Sequence, residues 1–292
     1  MNGFLLVNKP PGITSFNVVK KIREITKIDK VGHMGTLDPR ACGLIIIGLG
    51  KYVRLEEYIL NFTKTYIVEI HFGISSDTYD REAYSFKYQN IKNQDISPQK
   101  IEEILKSLLG EIEQEPPIYS ALHINGKRAY ELAREGKNLK LPKRKVKIFK
   151  AELLDYKKSK FPIALIEFKV SAGTYIRSLV KDIGEKLGCY AITSFLLRTE
   201  IGHISISDSI SFNKLSKHWK ENLVSPVKIL NFPLIKVDAL EEKRILNGNN
   251  VLLPTYENKE IFVSVVNSKD NFIAVGKIKG NVLKPEKVFS IE

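Results

Sequence analysis

Cysteine is scarce in this sequence, and histidine is thinly spread. The 292 residues include two cysteines, Cys42 and Cys189, which are far apart, and five histidines. Two distant cysteines provide neither a disulfide framework nor a Cys-based zinc site. The histidines are too scattered to form a metal site at helical spacing. We therefore predict that the protein holds no metal ion.

Long apolar runs and nucleotide-binding signatures are also lacking. Every apolar run is far shorter than the ~20 residues that a membrane-spanning helix needs. The amino terminus has no basic leader and no apolar segment long enough for a signal peptide, so the cytoplasm is the expected compartment. Gly43 and Gly48 have the spacing of a phosphate loop, but Leu49 stands where that loop needs lysine. We expect neither ATP nor NAD, and we predict no cofactor.

Acidic residues are too few to balance the basic ones. The chain has 46 Lys and Arg against 33 Asp and Glu, which gives a net charge of +13. Such an excess favours a polyanionic partner, and nucleic acid is favoured over an acidic membrane. Residues 137–150 carry basic charges only. A charge run is often a solvated face, but beside aromatic and basic neighbours we interpret it as a phosphate contact.

The segment from Val31 to Gly43, VGHMGTLDPRACG, holds one carboxylate on a bend ahead of an apolar run. Its glycines allow backbone shapes that residues with a Cβ adopt only at a cost. Pro39 fixes its own φ and pushes Asp38 toward an extended conformation. Asp and Pro also favour ordinary turns. Composition alone therefore leaves open whether Asp38 meets a ligand or only forms a turn.

The order of these residues resembles the catalytic loop of the TruB-type pseudouridine synthases, Gly-His-x-Gly-Thr-Leu-Asp-Pro-x-Ala-x-Gly. The resemblance implies that Asp38 is the essential catalytic group and that His33 contacts the substrate. Near the amino terminus, NKPPGITS resembles the Lys-Pro-x-Gly motif of the family. Its lysine, here Lys9, is expected to pack behind the active site. Met34 and Cys42 depart from the commonest form of the loop without affecting the aspartate.

Three later segments resemble motifs of the same family. In KTY, Tyr66 would stack on a flipped target base, with Lys64 beside it in the substrate site; a plain core aromatic is the other interpretation of Tyr66. In GTYIR, Arg177 would pair with the catalytic aspartate and Tyr175 would line the base pocket. An extended backbone would point those two side chains the same way, whereas a surface arginine at a helix start is the alternative. In FLLRT, Leu196 would pack on the target uracil.

Residues 114–150 resemble the mobile, RNA-gripping thumb of the family, which carries the pattern Pro-Pro-x-[Tyr/Phe]-Ser-Ala. Asn125-Gly126 within it is a good turn dipeptide. The basic side chains of this segment that are expected to contact the RNA backbone are Lys127, Arg128, Lys143, Arg144 and Lys145.

Periodicity predicts the main elements. Apolar residues alternate through 65–73 and 163–171, as in half-buried strands. Ser15, and Ser97 with Pro98 after it, are predicted helix starts. Short β-rich runs near the carboxyl end predict a small β-barrel, and they resemble a PUA-like RNA-binding domain.

The resemblance implies an α+β fold of the pseudouridine-synthase type. It should contain a mixed, mainly antiparallel sheet with flanking helices and a small C-terminal β-barrel. The expected domains are 1–230, which is catalytic and includes the thumb, and 231–292, which is PUA-like.

The resemblance implies a function as well: isomerisation of uridine 55 in the TΨC arm of tRNA to pseudouridine after the base is flipped. Asp38 would start the reaction as a nucleophile or by abstracting a sugar proton, and the sequence leaves both routes open. Arg177 would supply the counter-charge that keeps a partly desolvated carboxylate ionised. The expected partner is tRNA, bound by a monomer that does not associate with membranes.

Two other functions remain open from the sequence. A noncatalytic RNA-binding or RNA-folding protein would explain the charge, the thumb and the PUA-like tail equally well, and assistance of tRNA folding could accompany catalysis. A relative that modifies ribosomal RNA within a guide-RNA complex is the third interpretation. The compact length and the absence of long lysine-rich tails argue against that third function.

Overall fold

The computed structural model describes residues 1–81, 85–91, 96–118, 123–124, 127–128, 141–253 and 260–290. The strands are β1 Gly3–Lys9, β2 Val31–His33, β3 Cys42–Leu49, β4 Lys64–Phe72, β5 Ile74–Ser76, β6 Phe86–Tyr88, β7 Gly110–Gln114, β8 His123–Ile124, β9 Lys127–Arg128, β10 Arg144–Lys157, β11 Ile163–Val170, β12 Ala191–Ile201, β13 Ile204–Ser205, β14 Ile210–Ser211, β15 Leu223–Val224, β16 Leu234–Lys236, β17 Val251–Leu252, β18 Ile261–Val266, β19 Phe272–Lys279 and β20 Val282–Val288. The helices are α1 Ser15–Thr26, α2 Glu56–Leu60, α3 Pro98–Ser107, α4 Ile176–Lys186, α5 Leu215–His218, α6 Pro226–Leu230 and α7 Ala239–Leu246.

The larger sheet has eleven strands and forms the centre of the molecule. Its main path runs β14-β1-β3-β12-β4-β11-β10-β7, and β2, β13 and β15 pair with strands of that path. Among its described strand pairs, β1–β14 and β3–β12 are parallel and the others are antiparallel. The α+β prediction of a mixed, mainly antiparallel sheet with flanking helices is confirmed.

The alternation read from the sequence builds the middle of this sheet. The buried face of β4 and β11 consists of Tyr66, Val68, Ile70, Phe72, Ala164, Ile166, Phe168 and Val170. Helices α3 and α4 pack their apolar stripes into the same core cluster. This packing fixes strand register, because a slip of one residue would turn the apolar set to solvent.

Helix starts follow the capping chemistry, with one correction. Ser97 caps α3 as predicted, since its hydroxyl accepts the N–H of Lys100 at 3.3 Å. Helix α1 begins one residue earlier than predicted, because Thr14 is its N-cap and forms a capping box with Asn17. Ser15, predicted as that N-cap, is instead the first helical residue and is buried, because its hydroxyl bonds to Leu37.

The smaller sheet, β16-β18-β19-β20-β17, is a curled, PUA-like half-barrel, as the strand pattern predicted. It closes over a core of its own that includes Ile245 of α7. A second cluster joins the two sheets, where the ring of Tyr52 meets Phe272 and Phe289 at centroid distances of 5.8 and 5.3 Å. The division into domains at residue 230 stays a prediction. No helix in the described ranges has the length and apolarity to cross a bilayer.

Candidate active site

The loop that carries Asp38 is tied down on both sides of that residue. The Ser15 hydroxyl accepts the N–H of Leu37 at 2.9 Å and donates to the Leu37 carbonyl at 3.0 Å. The next carbonyl but one, that of Pro39, accepts the Lys9 ammonium at 3.1 Å. Lys9 is fully buried and also donates to the Ile13 carbonyl at 2.8 Å. Lys9 therefore lies behind the loop and holds its backbone, whereas a solvated loop lysine would bury neither its stem nor its charge.

Arg198 fixes the start of the same loop. Its side chain is 1% exposed, and it donates to the carbonyls of Leu44 at 2.8 Å, Thr36 at 3.2 Å and Gly35 at 3.4 Å. Strand β12 passes so close that a Cβ on Gly43 would lie 2.3 Å from the Arg198 carbonyl oxygen. The sequence analysis missed this role, although the leucine-arginine motif contains the residue.

The Arg177 guanidinium meets the Asp38 carboxylate directly. Its Nε lies 2.9 Å from Oδ2 of Asp38, and Nη1 donates to the Thr78 carbonyl at 3.1 Å. The Arg177 side chain is 6% exposed, whereas that of Asp38 is 35% exposed. A permanently charged, buried guanidinium therefore faces a carboxylate that is still partly exposed.

Asp80 is a second carboxylate on Arg177, and the sequence analysis missed it. Its Oδ2 lies 3.9 Å from the Arg177 Nε, and its Oδ1 accepts the Thr78 hydroxyl at 3.0 Å. The Ser76 hydroxyl donates to the Asp80 carbonyl at 2.8 Å. These bonds fold 76–80 into a buried turn under the arginine. The Asp-Thr-x-Asp spacing was the available signal, but it also suits an ordinary turn.

Tyr66 and Leu196 face the same side of the larger sheet. Tyr66 on β4 lies between Phe168 and Arg198 in the strand register, and Leu196 pairs with Val68 one step along. Both side chains belong to the cluster that includes Leu37 and Ala41 of the catalytic loop. The structure thus brings Tyr66, Leu196 and the loop of Asp38 into one cluster. Tyr66 is also a core residue, 9% exposed, so both interpretations of it are compatible with its position.

Tyr175 and Arg177 lie at the start of α4, which corrects the expectation of an extended backbone. Tyr175 is the N-cap residue, with φ of −97° and ψ of 114°, and Arg177 already lies inside the helix. The Arg144 guanidinium carbon stands 4.2 Å from the centroid of the Tyr175 ring. This stacking places one basic residue of the predicted thumb beside a tyrosine of the predicted base pocket.

The remaining predicted residues have different surroundings. The Lys64 ammonium donates to the carbonyls of Leu60 at 2.6 Å and Phe62 at 2.7 Å, and burial lowers the pKa of Lys64 to about 8. His33 is half-buried at the end of β2, just before the loop that carries Asp38. Substrate contacts by either residue stay predictions.

About half of the predicted thumb, residues 119–122, 125–126 and 129–140, lies outside the described residues. Lys143 and Lys145 are exposed at the start of β10, on either side of the half-buried Arg144. Lys127 and Arg128 form a short hairpin strand, and their side chains are outside the described part. In the described ranges no three His, Cys, Asp or Glu side chains converge to hold a metal ion.

Comparison with known proteins gives a consistent result. Residues 23–176 match the model of the TruB family pseudouridylate synthase N-terminal domain. The chain is 37% identical to tRNA pseudouridine synthase B of Caldanaerobacter subterraneus over 290 residues, which is 99% of each chain. It is 39% identical to the Clostridium novyi protein of the same name over 295 residues, also 99% of each.

The fold matches a solved structure over nearly the whole chain. That structure is described as an H/ACA ribonucleoprotein bound to a substrate RNA containing 2′-deoxyuridine. Its matching chain is 25% identical, with a TM-score of 0.73, and the match covers 99% of this chain and 85% of that one. The paired Asp38 and Arg177, the sheet that carries them and the full-length sequence matches agree. The chain therefore belongs to the TruB family of pseudouridylate synthases and is an enzyme, an isomerase.

Proposed function

We propose that this enzyme converts uridine 55 in the TΨC arm of tRNA to pseudouridine, with Asp38 as the essential group. The reaction breaks the N1–C1′ bond, turns the base and joins C5 to C1′, so atoms are conserved and no cofactor takes part. The observation that carries the proposal is the 2.9 Å contact between the Arg177 Nε and Asp38 Oδ2. It supports a carboxylate that has a fixed counter-charge and is still partly exposed to a ligand.

The target base must leave its stack before Asp38 can reach it, a step of a few kcal/mol. Loops in RNA offer bases that can be splayed out, and the TΨC arm of tRNA contains one. Tyr66 and Tyr175 hold the uracil plane, and Leu196 closes the pocket with apolar surface. The anchored backbone around Asp38 supports this role, because a fixed carboxylate needs no reordering when substrate arrives.

The RNA outside the pocket is bound through phosphates. Exposed Lys143 and Lys145 flank Arg144, whose guanidinium is stacked on Tyr175 beside the proposed base site. The net charge of +13 supplies long-range attraction to the same polyanion. A tRNA-folding activity would use this binding surface without Asp38, and it is the second candidate function.

Relatives favour tRNA over guide-dependent substrates. The curated relatives named tRNA pseudouridine synthase B are 37–39% identical along the full chain. The ribonucleoprotein chain has the same fold at 25% identity. We therefore propose a stand-alone enzyme that acts as a monomer on tRNA.

Mapping tests the proposal. Purified protein is incubated with an unmodified tRNA transcript, and pseudouridine is located by nucleotide. A single new pseudouridine at position 55, absent with Asp38→Asn, is the expected result. Conversion at another position would support the proposed reaction but contradict the proposed target nucleotide. Binding without conversion would favour the tRNA-folding function.

A further inference from the structure

Gln114 joins the first strand of the predicted thumb to the helix that carries Arg177. It is the last residue of β7 and is 1% exposed. Its Nε2 donates to the Tyr175 carbonyl at 3.0 Å, and its Oε1 accepts the Tyr175 N–H at 2.8 Å. One amide thus holds both main-chain groups of the residue at which α4 begins.

A second bond repeats the connection one turn farther along α4. The Ser178 hydroxyl donates to the carbonyl of Glu115 at 2.8 Å, and Ser178 is buried. Residues 114 and 115 are therefore tied to positions 175 and 178, which lie on either side of Arg177. A displacement of β7 at this point would move the first turn of α4 with it.

The returning strand holds the same segment from its other end. Arg144 pairs with Gln114 in the β7–β10 register and stacks on the Tyr175 ring at 4.2 Å. Farther along β10, the N–H of Lys147 donates to the Ser171 hydroxyl at 2.9 Å, and the N–H of Ser171 donates to the Lys147 carbonyl at 2.8 Å. The two strands that flank residues 115–143, β7 and β10, are thus both hydrogen-bonded to the turn and helix start at 171–178.

We propose that Gln114 is a positioning residue, which sets the first turn of α4 so that Arg177 reaches Asp38. Through it, the RNA contacts made by the thumb are coupled to the geometry of the reacting carboxylate. This inference rests on the proposed function, because it takes Asp38 and Arg177 as the reaction centre. Its consequence is specific: weakening the Gln114 amide should reduce the rate of conversion much more than the affinity for tRNA.

Gln89 offers a matched control at the other end of α4. Its Nε2 donates to the Gly188 carbonyl at 3.2 Å, and its Oε1 accepts the Tyr190 N–H at 3.0 Å. This amide also donates one main-chain bond and accepts one, but its partners are two exposed residues past the carboxyl end of the helix. Gln89→Met therefore reproduces the loss of two hydrogen bonds without acting on the start of α4.

The test compares single-turnover rates and tRNA dissociation constants for wild type, Gln114→Met and Gln89→Met. Gln114→Met should lower the rate by about 10- to 100-fold, as a displacement of about 1 Å does. Its dissociation constant should stay within about threefold, and Gln89→Met should retain the wild-type rate. A wild-type rate in Gln114→Met, an equal loss in Gln89→Met, or a loss confined to affinity would each overturn the inference.

Gln114→Glu provides an independent readout that a merely structural role would not produce. A neutral carboxyl offers one donor and one acceptor, as the amide does, whereas an ionised carboxylate offers acceptors only and faces the Tyr175 carbonyl. The rate of this variant relative to wild type should therefore rise as the pH is lowered. A flat ratio would contradict the inference even if Gln114→Met failed to fold. Absence of conversion by the wild type would instead contradict the proposed function.

Discussion

The parts of the molecule built on the two sheets differ in whether their charged side chains are buried or exposed. In the described part of the chain, every buried charged side chain belongs to the part of the molecule built on the larger sheet, namely Lys9, Lys64, Asp80, Arg177 and Arg198. From residue 231 onward, the described buried polar residues are Ser264 and Asn267, and the charges form exposed pairs such as Lys236–Asp270 at 2.8 Å.

Burying a charge is costly unless partners satisfy it. Around the larger sheet each buried cation is bound to main-chain carbonyls or to a carboxylate. Three of them, Lys9, Arg177 and Arg198, converge on the loop of Asp38. The smaller sheet relies on an apolar core and keeps its ions in solvent. Most of the buried charges therefore hold the loop of Asp38 in place, whereas the described residues of the half-barrel include no buried charge.

The largest expected effect is on turnover at Asp38. Asp38→Asn keeps the size of the side chain but removes the charge that faces Arg177, so turnover should fall on the order of 10⁴-fold or more. Affinity for tRNA should stay within a few-fold, since the proposed phosphate contacts lie elsewhere. Exposed Asp77 is the control, and Asp77→Asn should turn over normally. Wild-type-like conversion by Asp38→Asn would end the proposed chemistry.

A stability comparison tests the contrast between the sheets. Arg198→Met removes the donor from the buried Leu44 carbonyl and from the partly buried carbonyls of Gly35 and Thr36, and it should destabilise the protein by about 3–5 kcal/mol. Lys277→Met removes a long cation from the smaller sheet, where its partner Glu260 is solvated, and should shift the urea midpoint far less than Arg198→Met does. Equal midpoint shifts for both variants in urea unfolding would show that burial does not distinguish the two regions.

Local pattern predicted individual strands and helix starts, whereas the fold class came from the resemblance. The strands β4 and β11 follow directly from alternation, because one face of each is buried and the period of a strand is two residues. Ser97 with Pro98 located the start of α3 for reasons of capping chemistry. The position of Asp38 opposite Arg177 came from the resemblance of two motifs and not from periodicity. The expected pairing of Asp38 with Arg177 agrees with the structure because the two whole motifs, and not single residues, determine that geometry.

The residues that sequence reading missed act through distant backbone groups. Arg198 binds carbonyls more than 150 positions away, and Gln114 binds the main chain of Tyr175. Every residue has a main-chain carbonyl, so a contact to such an acceptor leaves no pattern of residue types in the sequence. An extended backbone would have pointed Tyr175 and Arg177 the same way, and a surface arginine at a helix start was the alternative. Arg177 does lie in the first turn of a helix, after the N-cap Tyr175, but it is buried there and reaches Asp38.

Salt dependence separates the two regions as RNA-binding surfaces. Lys143→Ala with Lys145→Ala should reduce the slope of log affinity against log salt by about 1–2, since each phosphate contact contributes about 0.9. Lys279→Ala with Lys284→Ala in the half-barrel should change it less, because Lys284 already has Glu286 at 3.5 Å. Filter binding of tRNA across a salt series measures both. A larger change from the half-barrel pair would assign phosphate binding to that sheet.

The smallest effect concerns the pH dependence of stability. Burial raises the pKa of Asp182 on α4 to about 6, despite the opposing charge of Lys181. Between about pH 4 and pH 6 the folded state therefore holds a proton that the unfolded state has lost. The stabilisation is complete below pH 4 and disappears as the pH rises through 6. Allowing for solvent at this half-buried site, about 1 kcal/mol is lost over that range.

Asp182→Asn should abolish this loss, so the variant gains on wild type as the pH rises from 4 to 7 in urea unfolding. Glu260 of the half-barrel provides the opposite sign. Its hydrogen bond to Lys277 lowers the pKa of Glu260, so its contribution is present at neutral pH and disappears as the pH falls. Glu260→Gln should therefore have a lower free energy of unfolding than wild type only at pH values at which the wild-type Glu260 carboxyl is ionised. If the stability difference from wild type changed with pH in the same direction for both variants, burial on α4 and exposure on the half-barrel would not explain the sign of the pH dependence.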